Sequence, residues 1–202
     1  TVGLRAAFAS TEAPRFFRAL GFVHVGFALL ALASLSRAGQ AAAFLEVTSG
    51  LVLVLVAQRV LGAASAERPH DAQEDSTRGL GHQAPLVGGA VGLALVSSMS
   101  APPTFGFVAR LASFEALLEG AGPYRPFFVT LAAAVALAML VQAVAIVRFV
   151  RVFFTDEALV AANATKTAKA SAIVVFVFPL LLLGAFAAPI FNFVRACLAG
   201  ME

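Results

Sequence analysis

One long apolar segment of this chain carries its own interruption. Between Pro85 and about Leu118 the sequence is predominantly apolar, yet its middle reads Ser98-Met-Ser-Ala-Pro-Pro-Thr-Phe-Gly-Phe-Val-Ala-Arg110. Adjacent prolines cannot continue a helix, because each lacks a donor N–H and clashes with the preceding turn. A membrane-spanning helix broken in this way frees backbone polar groups, which are tolerated only against protein or a water-filled cavity. An arginine follows the break by about two turns, at a depth where charge is expensive and marks an ion path or a structural pair. Broken helices beside a charge are the parts with which transporters handle ions.

Composition sets the class. Of 202 residues 60% are hydrophobic and 12% charged, and mean hydropathy is +0.92. A water-soluble domain of this length cannot hide so much apolar surface, so the sequence specifies an all-α integral membrane protein. The chain has no tryptophan and one tyrosine, so the usual aromatic belt gives no boundaries and charge must supply them. A single cysteine, Cys197, excludes an internal disulfide and has no metal-ligand partner.

Five segments reach spanning length: Ala19–Leu35, Ala41–Leu61, Pro85–Leu118 (broken at Pro102-Pro103), Phe127–Phe149 and Ser171–Val194. Short connections, Ser36–Gln40 and Glu119–Pro126, suit hairpins, whereas Ala63–Ala84 and Thr155–Lys169 read as polar loops. With five crossings, one side collects ten Lys and Arg residues and the other three, leaving Arg110 inside. The positive-inside rule then places the polar N-terminal tail, residues 1–18, on the matrix or cytoplasmic side. That tail holds Arg5, Arg15 and Arg18 against Glu12, which fits either an organelle-targeting remnant or an ordinary loop of a divided gene.

Few polar residues lie inside the spans. His24, in the first, suits either a proton relay or a neutral hydrogen bond between helices. Glu46 and Arg59, in the second, are ~20 Å apart on a helix, so each needs a partner elsewhere or an interface. Arg110 keeps its proton under ordinary conditions and sets a fixed field, or pairs with Glu115 or a partner's carboxylate. Gln142, in the fourth span, is a neutral group able to hold water in a path. Arg148 and Arg151 read as interfacial anchors, and Gly88-Gly89 suits close helix packing. The chain has no phosphate loop, no Cys/His metal cluster and no nucleophile at motif spacing, so neither cofactor, metal nor nucleic acid is expected.

These residues resemble a known family. Pro14-Arg-Phe-Phe-Arg-Ala-Leu-Gly-Phe-Val-His24-Val-Gly26-Phe27 is similar to the "KRLLAYSSIxHxGY" helix of the antiporter-like membrane subunits of respiratory complex I. Gly79-Leu80-Gly81, then Pro85-Leu86, then Ser97 through Pro102-Pro103-Thr104-Phe105-Gly106-Phe107-Val108-Ala109-Arg110, resembles "GL…P…LSLAGIPPTxGFxGK". Ile146-Val147-Arg148 resembles the helix closing "YYYLRV", and Leu183-Gly184 through Pro189 to Arg195 resembles the last helix. Among complex I members the C-terminal part of chain 2 fits best, while Mrp-type antiporters and membrane-bound hydrogenases share much of the pattern.

The resemblance implies an antiporter-like half-bundle matching the last five of about fourteen spans. It implies a membrane-arm subunit of a proton-translocating NADH:ubiquinone oxidoreductase, in the mitochondrial inner membrane or a bacterial plasma membrane. Its partners would be other membrane-arm subunits, lipids, and a chain supplying the earlier helices. NADH oxidation and quinone reduction would belong to other subunits. His24, Glu46, Arg110, Glu115 and Gln142 become candidates for a proton path, with Pro102, Pro103 and Gly106 as the break admitting water. Three departures stand out: Pro14 replaces a lysine, Leu20-Gly21 replace Ser-Ser, and Arg110 replaces the lysine of the broken helix. The last shifts weight toward a structural subunit that no longer pumps.

Overall fold

A computed structural model describes residues 13–65, 85–102, 104–119 and 124–155, with isolated positions at 3, 5, 7, 79, 81, 186, 189, 192, 193, 196 and 197. All elements among them are helical: α1 (Ala13–Leu32), α2 (Arg37–Ser65), α3 (Pro85–Ser98), α4 (Phe105–Glu119) and α5 (Arg125–Phe153). Pro103 and all of the expected span at 171–194 except positions 186, 189, 192 and 193 lie outside the described residues, as do most of the two polar loops.

Three helices, within Ala13–Leu32, Arg37–Gln58 and Arg125–Phe153, are long and apolar enough to cross a bilayer. α3 and α4 have 14 and 15 residues. At ~1.5 Å per residue each covers ~21 Å, short of the ~30 Å hydrocarbon core. Neither is long enough to cross alone.

The helix starts follow from sequence. Pro14 occupies the first turn of α1 and Pro126 that of α5, where the missing N–H costs nothing. Ser36 caps α2 by accepting a hydrogen bond at Oγ from the Gly39 amide, at 3.0 Å. Gly39 has no alternative, since a Cβ there would collide with Ser34 Oγ and the Ala31 carbonyl.

α1 and α2 form an antiparallel hairpin in which Gly21 faces Val54 and Gly50 faces His24. Three apolar clusters then hold the bundle. In one, Phe16 and Phe17 of α1 pack with Leu53 and Val56 of α2, Leu95 of α3, and Phe149 and Phe153 of α5. Phe16 and Phe149 stack nearly parallel, with centroids 4.2 Å apart. A second cluster joins the far ends of α1 and α2 to Phe105, Ala109, Ala112 and Ala116 of α4. In the third, Val23 and Phe27 meet Leu117, Phe128, Ala132 and Val135.

Although the Ser100 hydroxyl is buried without a hydrogen-bond partner among the described residues, the backbone at the break is well satisfied. Its freed α3 carbonyls accept from residues that follow: Leu95 from Met99 (2.8 Å), Ser97 from Ser100 (3.0 Å) and Val96 from Ala101 (3.2 Å). Ser100 adopts a left-handed conformation, φ 61°, to make this turn. The chain then re-enters helix through Thr104, whose amide and hydroxyl both reach the Ala101 carbonyl. Gly106 donates its amide to Ser97 Oγ across the gap at 3.2 Å. Together these bonds keep broken backbone inside a membrane bundle without orphan groups at those positions.

Candidate functional site

Where the clusters meet, the bundle buries a polar centre. His24, Glu46, Ser98, Arg110 and Gln142 are each 2% exposed or less, one from each helix. Glu46 is the hub. Its Oε2 lies 2.9 Å from His24 Nδ1, and its Oε1 lies 2.8 Å from Arg110 Nε. The Arg110 contact is an ion pair without the linear N–H···O geometry of a strong hydrogen bond. The Ser113 hydroxyl, one turn along α4, hangs between Glu46 Oε1 at 3.4 Å and the Ala109 carbonyl at 3.0 Å.

Two buried charges repay their desolvation only with good geometry and further partners. Arg110 finds one in an aromatic face: its Cζ sits 3.4 Å from the ring centroid of Phe27, placed one turn beyond His24 on α1. Its Nη1 and Nη2 meet no hydrogen-bond acceptor among the described residues. Arg110 is thus held by one carboxylate and one ring, and presents two further donors inside the bundle.

The other side of His24 leads to α3 and α5. His24 Nε2 lies 3.4 Å from Ser98 Oγ. Gln142 Nε2 reaches that same oxygen at 2.9 Å and the Ser98 backbone carbonyl at 3.0 Å. A helix leaves its last carbonyls without intrahelical partners. Gln142 therefore caps α3 at the break while joining the polar chain.

Of the candidates read from sequence, His24, Glu46, Arg110 and Gln142 are brought together. Glu115 is not: it is exposed on the outer side of α4, and Arg110 pairs with Glu46 instead. Gly106 is buried at the break, Pro102 is exposed there, and the side chain of Arg59 lies outside what is described. Sequence reasoning did not single out Ser98, Ser113 or Phe27. Spacing supplies a signal for two, since Ser113 follows Arg110 and Phe27 follows His24 by three residues, on the same helical face.

An apolar groove of ≈ 270 Å³ between α1 and α2, lined by Gly21, Phe22, Val25, Val47 and Gly50 among others, also reaches His24. Apart from Arg18 and His24 its lining is apolar. The polar connection to His24 runs through Ser98 and Glu46.

NADH-quinone oxidoreductase subunit N of Geobacter metallireducens is 37% identical over 120 residues, covering 59% of this chain and 25% of that protein. Subunit N 2 of Sorangium cellulosum is 34% identical, covering 61% and 24%. The chain thus spans about a quarter of the length of these relatives. Among solved structures, the Mrp complex from a Dietzia species superposes with a TM-score of 0.77 at 16% identity, covering 99% of this chain and 45% of that one. Respiratory complex I from Thermus thermophilus with bound NADH gives 0.73 at 21% identity, covering 98% and 42%. These two establish a shared all-helical membrane fold. The model for the transmembrane family of NADH:quinone oxidoreductase and Mrp antiporter proteins matches residues 21–136, which contain His24, Glu46, Ser98 and Arg110. More than half of the chain is covered, and it belongs to that family.

Proposed function

We propose that this chain forms part of a membrane-arm subunit of a proton-translocating NADH:quinone oxidoreductase, and that the polar centre is a segment of its proton path or the scaffold of one. One observation carries the reading: a histidine, a carboxylate and an arginine are buried in contact beside a broken helix. Burial of this kind is costly in a membrane bundle and is retained where charge or protons are handled. His24 supplies two ring nitrogens, one facing Glu46 and the other Ser98, through which a proton can pass. Arg110 supplies a permanent positive charge that holds Glu46.

NADH oxidation and quinone reduction belong to other subunits on this reading. The remaining helices of the relatives are supplied by a second chain or have been lost, and similarity to bacterial subunit N proteins supports a chain 2 or subunit N position. The ten-to-three charge asymmetry supports an N-terminus on the cytoplasmic or matrix side. Bacterial relatives favour a plasma membrane, and the Arg-bearing N-terminal stretch favours a mitochondrial inner membrane.

The Mrp-like fold supports a second reading, a cation/proton antiporter subunit. Native-gel separation with mass spectrometry distinguishes the two. Co-migration with NADH dehydrogenase activity supports the first, and a complex lacking flavin subunits the second. Arg110→Met then separates pump from scaffold. An assembled, NADH-oxidising variant that moves fewer protons per electron pair places Arg110 in the path. Failure of assembly makes it a structural pair. Normal assembly with unchanged stoichiometry eliminates both roles.

A further inference from the structure

The polar chain from Gln142 to Glu46 has a direction, and one serine sets it. The Ser98 carbonyl can only accept a hydrogen bond, so the Gln142 atom 3.0 Å from it must be the amide nitrogen. That fixes the amide's orientation. The same nitrogen lies 2.9 Å from Ser98 Oγ, so the hydroxyl oxygen accepts there as well. Its own proton is then free for His24 Nε2, at 3.4 Å. At the opposite edge of the ring, Glu46 in its ion pair with Arg110 only accepts, so His24 Nδ1 carries the proton.

We propose that Ser98 is a positioning residue of this site, which, oriented by Gln142, donates to Nε2 and holds His24 as the neutral tautomer with its proton on Nδ1, directed at Glu46. Both edges of the ring are satisfied by this one tautomer. The two flanking bonds are 2.9 Å, while the Ser98–His24 contact is 3.4 Å, the long joint of the chain. Ser98 is also the last residue of α3, directly before the left-handed turn at Ser100. Any adjustment of the break moves that joint first. The discontinuity in the helix therefore bears on the link from Gln142 through Ser98 to His24, in addition to freeing backbone.

This deepens the proposed function and rests on it for its meaning in proton transfer, but its test is spectroscopic. The chain is labelled with ¹⁵N-histidine and isolated in its native complex for solid-state nuclear magnetic resonance. The sequence has three histidines, and loss of a signal in His24→Gln assigns the one at issue. The expected wild-type ring has a protonated Nδ1 and a bare, hydrogen-bonded Nε2. Ser98→Ala keeps that tautomer and moves the Nε2 resonance downfield, as loss of a donor requires. Ser98→Thr, which retains the hydroxyl, restores it. Gln142→Met moves the same resonance although it does not touch the ring. A wild-type proton on Nε2, or an Nε2 signal unmoved by either Ser98→Ala or Gln142→Met, overturns the proposal. Proton stoichiometry is measured separately, so failure of the tautomer assignment and failure of the proton-path reading are told apart.

Discussion

Gly50 and His24 approach so closely that a Cβ built on the glycine would lie 2.7 Å from the Cβ of the histidine. Neither atom is the tip of a flexible side chain, so only backbone movement relieves the overlap. Gly50→Ala should force α1 away from α2 and loosen the His24–Glu46 contact. Overpacking of this kind costs ~1–3 kcal/mol. The check is the thermal midpoint of the isolated complex, which should fall; an unchanged midpoint means that the hairpin tolerates the added methyl.

Glu46 is the hub, and removing it leaves a guanidinium buried without a carboxylate. Glu46→Leu should therefore cost ~3–5 kcal/mol and deplete assembled protein on a native gel. Removing both charges differs in kind, because an ion pair replaced by apolar groups of similar bulk is often neutral. The double variant Glu46→Leu/Arg110→Met should assemble better than Glu46→Leu alone. Equal or worse recovery would contradict the pairing.

Phe27 holds Arg110 from above its ring. Phe27→Leu keeps an apolar side chain and deletes the quadrupole, a loss of ~2 kcal/mol at a desolvated site. In the Arg110→Met background the same change should cost measurably less. Equal costs in both backgrounds, read from denaturation midpoints, would show no coupling between ring and cation.

Glu115 offers the opposite expectation. It points outward from the bundle, so Glu115→Gln should leave proton stoichiometry unchanged in assembled complexes. A fall in protons moved per electron pair would bring that carboxylate back into the path.

His24, Glu46 and Arg110 were legible in the sequence because a polar or charged group in an apolar segment is conspicuous. The break was legible for a similar reason, two prolines where a helix should run. Their convergence was not, since which helix faces which is decided by tertiary packing. Glu115 illustrates the limit. Five residues beyond Arg110 at ~100° each leaves it ~140° around the helix, so the two point to different sides. Ser113, three residues on, is ~60° away and joins the site, but a serine in a helix attracts no notice. Ser98 matters through its backbone carbonyl as much as its side chain, and a carbonyl left free by a helix end has no letter in the sequence.

The polar centre draws one or more members from every described helix, and this makes it sensitive to mechanical state. A slide of one helix by a single residue is ~1.5 Å, enough to break any bond in the chain from Gln142 to Arg110. The centre consequently forms in one register only. A push delivered along the membrane, at whichever helix receives it, would be converted into a changed hydrogen-bond pattern around a single histidine.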